Sequence, residues 1–277
     1  MKRFSLELLY HIVGIGSASG LFYRDGSVFI ASDNAGCLYE FHADDASLAK
    51  IPLFDSDVLE NIPKKIKPDF EALAERDGKL YLFGSGSTKN RTNVSIVDLS
   101  TKKVERRDLA GLYDKMRTAS KIDADNFNLE GAIGVENAWF FFQRGNGNGG
   151  NNGVFKVIGS LESPDKIKYF PVALPKIKHV MTSFTDAILV GDAIWFLATA
   201  EDTQSTYDDG EVLGSIIGKI DYETMKIVYS EKITDRQKFE GLTFFSRSDS
   251  EIVFLLCEDN DTDGMESGIF KLTLSLD

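Results

Sequence analysis

Along this chain, short apolar runs alternate with polar turns at intervals too brief for helices. SVFIAS (27–32), KLYLFG (79–84), AWFFFQ (138–143), AIWFLA (193–198) and EIVFLL (251–256) are near-continuous runs of aromatic and β-branched residues. Such runs suit strands covered on both faces. Each is preceded by a strand-like stretch and a turn, as in RDGS (24–27) and RDGK (76–79), which read as tight hairpins. Each is followed, after a polar loop, by a third strand: CLYEF, VSIVDL, GVFKVI, IIGKID and GIFKLTL.

The first strand of each unit opens on a repeated signature. KPDFEAL (67–73), FNLEGAIG (127–134) and QKFEGL (237–242) place a glutamate before a small residue; SFTDAI (183–188) does so with aspartate and SASGLF (17–22) with serine. The small residues Gly20, Ala72, Gly131, Ala187 and Gly241 are spaced by 52, 59, 56 and 54 residues. A period of this size points to propeller blades. The 36 residues after Gly241 are too few for a unit, but with the 19 before Gly20 they make 55. The expected fold is therefore all-β: a five-bladed β-propeller of four-stranded antiparallel blades, forming a single domain over residues 1–277. Its last blade would be completed by an N-terminal strand at about 3–13, since ring closure limits exposed sheet edges. Helical signals are weak; AGLYDKMRTASKI (110–122) and DSDVLENI (55–62) are the two stretches expected to form a helical turn or two.

In a propeller the innermost strands line a central channel, and their N-terminal ends share a face with the loops joining second and third strands. Glu71, Glu130, Asp186 and Glu240 are thereby expected around one mouth, with Ser19 at the fifth position. Like charges so close raise one another's pKa, so a divalent cation, protons, backbone N–H groups or basic residues from nearby loops must neutralise them. Two readings stand side by side: each carboxylate caps backbone N–H groups of the adjacent blade, or the group binds a cation such as calcium, which takes six to eight oxygens in irregular geometry. The small residue after each acid leaves room where the inner strands converge. Arg144, Lys67 and Lys238 flank the mouth and would hold an anionic group of a ligand.

The loops around that face are long and polar, with NGNGGNNG (146–153) reading as a connector. One of them carries Asp259, Asp261, Asp263 and Gly264 in a D-x-D-x-D-G pattern, a second candidate for calcium, although its twelfth position is Phe270 instead of the bidentate glutamate of a helix-loop-helix site. Elsewhere catalytic signals fail. GIGSASG (14–20) runs into a hairpin where a nucleotide-binding loop needs a helix, GSGSTK (84–89) lacks the glycine-lysine end of a phosphate loop, and no G-x-S-x-G or H-E-x-x-H occurs. Of the three histidines, His179 alone precedes an inner strand and is a candidate acid or base.

Charge changes the picture of partners. The chain has 43 acidic and 31 basic residues, a formal charge of −12, which repels phosphate backbones and anionic lipids. Nucleic acid and membrane are not expected as partners; a small molecule or ion is, a protein partner is compatible, and a monomer is expected. Two cysteines, Cys37 and Cys257, form neither a disulfide framework nor a metal motif. The FSLELLYHIV run alternates like a strand and reads as part of the fold, which favours the cytoplasm, or a secreted or periplasmic location if a leader precedes it.

The strand starts with Glu71, Glu130 and Glu240, together with SASGLFYRDGSVFIASDNAGCLYEF (17–41), resemble a group of uncharacterised bacterial five-bladed propellers, and more distantly the esterase-like phytase and SdiA-regulated propeller families. The resemblance implies a propeller with an acidic, calcium-binding face that carries over to those three glutamates; Asp186 and Ser19 depart from the pattern. Five units instead of six depart from the phytase-like propellers. The functional expectation is ligand or ion binding at the carboxylate-lined mouth, with metal-dependent hydrolysis of phosphoesters or lactones as the alternative.

Overall fold

Each of the five repeats forms its own four-stranded antiparallel sheet, in consecutive strand order from the axis outwards. The structure, a computed structural model, describes residues 4–145, 150–202, 210–259 and 264–276. Blade one is built from Ala18–Arg24, Ser27–Ser32, Cys37–His42 and Ser47–Pro52, and blade two from Phe70–Arg76, Lys79–Gly84, Asn93–Asp98 and Val104–Asp108. Blade three comprises Leu129–Val135, Ala138–Gln143, Gly153–Gly159 and Pro164–Pro171; blade four Ser183–Val190, Ala193–Asp202, Glu211–Asp221 and Ile227–Thr234. Blade five takes Lys238–Arg247, Glu251–Asp259 and Glu266–Ser275 from the end of the chain and Phe4–Val13 from its beginning. This is the five-bladed propeller that the repeat predicts, closed by the N-terminal strand, whose register runs antiparallel from Phe4 opposite Leu274 to Val13 opposite Glu266.

The continuous apolar runs of the second strands do what their lack of alternation implies, packing on both faces between neighbouring blades. Phe83 of blade two meets Phe141 of blade three edge to face at 5.0 Å. Phe142 and Phe184 join blades three and four at 5.3 Å, and Trp195 and Phe254 join blades four and five at 5.1 Å. Such aromatic pairs add directional preference to the burial itself.

Of the two helical expectations one holds. Ala110–Ser120 is a three-turn helix that buries Leu112, Tyr113 and Met116, with the Tyr113 hydroxyl donating to the Gly84 carbonyl at 2.6 Å, and it ends on Lys121 in the left-handed region. The 55–62 stretch is not helical. Its backbone is spent on blade one instead: Leu59 O accepts the Gly36 N–H and the Ile62 N–H donates to Asn34 O, which leaves those groups unavailable for a helical ladder. No helix among the described residues is long and apolar enough to cross a membrane.

One local device recurs in every blade. The pairing of inner and second strands skips one inner-strand residue near its start: Ser19, Glu71, Glu130, Thr185 and Glu240. A bulge of this kind leaves its residue out of the ladder and re-aims its side chain. The next residue packs against the following blade. A Cβ on Gly131 would come within 3.0 Å of the Ala187 nitrogen, and one on Gly241 within 2.9 Å of the Gly20 carbonyl carbon.

Candidate functional site

The bulge decides which side chains reach the mouth. Glu71, Glu130 and Glu240 line one cavity of about 90 Å³ with Asp33, Asp69, Asn128, Arg91, Arg144, Lys67, Lys238 and Asp259. Where the bulge residue carries a short hydroxyl it serves the frame instead. Ser19 donates to the Phe70 carbonyl at 2.5 Å and Thr185 to the Phe239 carbonyl at 2.6 Å, each reaching the inner strand of the following blade.

Asp186 is the exception to the expected ring. In blade four the bulge falls on Thr185, so Asp186 takes the register position that Gly20, Ala72, Gly131 and Gly241 occupy elsewhere. Its carboxylate accepts its neighbour Ala187 N–H and, across the seam, Leu242 N–H, both at 2.7 Å. The structure thus places Asp186 between blades four and five, outside the residues lining the cavity. Backbone capping, one of the two readings of the repeat, describes this residue; the three glutamates do something else.

Charges in the mouth fall into two groups. On one side an alternating ladder runs from blade three to blade five. Glu130 Oε1 accepts from Arg144 Nη1 at 2.9 Å and from Asn128 Nδ2 at 2.7 Å, and Arg144 Nη2 donates to Glu201 Oε2 at 2.6 Å. Lys238 Nζ then lies 3.2 Å from Glu201 Oε1, 3.0 Å from Glu240 Oε1 and 3.2 Å from Asp259 Oδ2. Burial pushes Glu130 and Glu240 above the usual carboxylate range, with Arg144 and Lys238 respectively opposing it most. At Glu201 burial also acts upwards, but Arg144 and Lys238 together outweigh it and hold the carboxyl low. A buried charge survives when paired and hydrogen-bonded in this way.

On the other side, Lys67 bridges two aspartates: its ammonium is held by Asp33 and lies 2.9 Å from Asp69 Oδ1. Asp69 Oδ2 accepts from Arg91 Nη1 at 2.7 Å and from the Ser85 hydroxyl. Asp69 sits at φ 56°, a left-handed conformation that costs free energy for a non-glycine residue. Burial pushes Asp33 up to about 6 against the pull of Lys67. Carboxylate oxygens of Asp33, Asp69 and Glu71 all lie within 4.8 Å of one another, a possible acidic metal triad in outline. Glu71 stands apart, because among the described residues no donor reaches its carboxylate by a hydrogen bond. Burial, and then the nearby charges of Glu130, Asp69 and Asp33, push it well above the usual range.

The opposite end of the channel carries one acidic side chain, Glu75, among mostly apolar ones. There Leu21, Leu73, Ile133, Leu189 and Phe244 line a wider depression of about 250 Å³, so charge is concentrated at the glutamate end. Of the other sequence candidates, Asp259 is buried on Lys238, while Asp261 and Asp263 lie outside the described residues. His179 is exposed on the surface, 3.7 Å from Asp202, and does not line the cavity. The sequence reading did not single out Asp33, Asp69, Arg91, Asn128 or Glu201. They occupy loops and strand ends with no common register in the repeat, although Asp69 and Asn128 each stand two residues ahead of a bulge glutamate and Asn128 is already present in FNLEGAIG.

A family model matches residues 14–274, which leaves out the closing strand Phe4–Val13. The chain belongs to DUF6929, a family of unknown function. Comparison with curated proteins gives no match. Among solved structures, this DUF6929 chain is similar to glutaminyl cyclase of Myxococcus xanthus, with 9% identity, a TM-score of 0.56, and 98% of this chain and 97% of that one covered. It is likewise similar to the major allergen Mala s 1 of Malassezia sympodialis, at 8% identity and a TM-score of 0.58, with 96% of each chain covered. At such identities the likeness shows a shared fold.

Proposed function

We propose that the glutamate end of the channel is a binding site for a small, positively charged ligand. The observation that carries this reading is Glu71, a carboxylate that opens into the cavity without a hydrogen-bond donor among the described residues while Asp33 and Asp69 crowd it. Every other bulge glutamate has a cation beside it, Arg144 for Glu130 and Lys238 for Glu240. A cation from outside would complete the pattern and oppose the burial and the neighbouring negative charges that raise Glu71. At about 90 Å³ the cavity has space for roughly three waters, which limits the ligand to an ion or a group of few heavy atoms.

A second reading is calcium at the Asp33, Asp69 and Glu71 oxygens, serving hydrolysis of a phosphoester or lactone. The close approach of those three carboxylates favours it. Bound calcium would polarise an oxygen of such a substrate.

The test is thermal unfolding with a series of inorganic cations and small amines, repeated on Glu71→Gln. A ligand at a hundred times its Kd stabilises the native state by about 2.7 kcal/mol. The reading expects such a shift for at least one cation and its loss in the variant. No shift with any cation would overturn it.

A further inference from the structure

We infer that the positively charged group taken by this mouth is a protonated primary amine. The inference rests on the cation-binding reading above and narrows it to a chemical class.

The groups already in the mouth show what its oxygens are arranged to hold. Two ammonium groups of the protein are seated among carboxylates: Lys67 between Asp33 and Asp69, and Lys238 among Glu201, Glu240 and Asp259, at 3.0–3.2 Å in the latter case. These are N–H···O lengths, whereas calcium draws its oxygens in to about 2.3–2.6 Å. A divalent ion on the Asp33, Asp69 and Glu71 oxygens would also have to share them with the Lys67 ammonium, which already holds two of the three residues. It would meet that like charge at close range. The residues therefore fit calcium poorly unless Lys67 leaves.

What the mouth leaves over is acceptors. Asn128 is 6% exposed, lines the cavity and gives its Nδ2 to Glu130, and its Oδ1 has no donor among the described residues. Asp33 spends Oδ2 on Lys67, and its Oδ1 has none among the described residues either. Glu71 is the third. An ammonium carries three N–H donors and no acceptor, so it satisfies three acceptors without bringing a lone pair into a carboxylate-rich space. On the cationic side, Arg91 gives Nη1 to Asp69 and Nη2 to the Lys64 carbonyl, and Arg144 gives its terminal nitrogens to Glu130 and Glu201, so that among the described residues these two guanidinium groups leave only Nε without an acceptor; Lys64 also lines the cavity and has a partner. Cavity size restricts the amine to a compact head or a short chain.

Isothermal titration of the full chain at neutral pH tests this with three probes: ethylammonium, tetramethylammonium and calcium. Tetramethylammonium keeps the charge and removes every N–H donor. The expected result is ethylammonium binding at least tenfold tighter than tetramethylammonium, no competition from calcium, and at least a tenfold loss in Glu71→Gln. The comparison of the two organic cations needs no variant, so it decides even if Glu71→Gln fails to fold. Calcium binding with no ethylammonium binding would overturn the amine and leave the cation site standing. Equal affinity for the two organic cations would also overturn it. Silence from all three would remove the site itself.

Discussion

Asp186 and Leu242 meet across the seam between blades four and five, where the aspartate Oδ2 accepts the leucine backbone N–H at 2.7 Å. The other oxygen holds Ala187 N–H at the same length. One side chain therefore satisfies two buried donors, one in each blade. Asp186→Ala is expected to strand both, at about 1–3 kcal/mol for each unsatisfied group, read as a fall in the denaturation midpoint. Cation binding should survive in folded protein, because Asp186 does not line the cavity. A variant that kept its stability but lost the ligand would return Asp186 to the binding ring.

The same residue shows how far sequence carried and where it stopped. Five blades, their closure and the inward-facing Glu71, Glu130 and Glu240 are legible because burial and bulge geometry repeat with the period. SFTDAI misleads by one position: Asp186 and Ala187 look like the acid and small residue of the other blades, yet the bulge falls on Thr185. A bulge is a property of pairing between two strands and leaves no mark in one strand alone. Asp33, Asp69, Arg91 and Glu201 were illegible for a different reason. Each owes its role to a partner from another blade or loop, as Glu201 of blade four does to Arg144 of blade three, and a single repeat does not encode that meeting.

Arg144 is the rung on which Glu130 and Glu201 both depend, and it is nine-tenths buried. Arg144→Met should cost about 3–5 kcal/mol, since it leaves a buried carboxylate without its cation. Adding Glu130→Gln to that background should recover part of the loss, because the neutral amide no longer needs the guanidinium. A double-mutant cycle by chemical denaturation measures the coupling; strictly additive losses would show that the two side chains act independently.

Acidity should stabilise one part of the mouth. Asp33 is pushed up to about 6 by burial, against an ordinary 3.8, so the folded state binds its proton more tightly than the unfolded state. Its contribution is then fully present below about 3.8, declines as pH rises through about 6, and is absent above. Wild type should gain on Asp33→Asn, which cannot titrate, by on the order of 2 kcal/mol as pH falls from 7.5 to 4.5. Melting both proteins across that interval checks the sign. A difference independent of pH would mean that Asp33 titrates alike in both states.

Ring closure makes a prediction that separates two residues on one strand. Phe4–Val13 pairs along Glu266–Ser275, but its two faces differ: Ile12 is 3% exposed in the core shared with Ile15, Ile30 and Ile269, whereas Leu8 is 56% exposed. Ile12→Ala should therefore cost about 2–5 kcal/mol, the range for truncating a buried aliphatic side chain. Leu8→Ala should stay within about 0.5 kcal/mol, as surface changes do. Removing the strand altogether bares the outer edge of blade five and opens the ring, with a loss larger than that of Ile12→Ala and a tendency to associate through the freed edge. Urea denaturation of the two point variants, with size-exclusion chromatography of the truncated chain, compares the three. Equal effects at positions 8 and 12 would mean that the strand packs without the sidedness its register requires, and an unchanged truncated protein would mean that the ring is held shut without it.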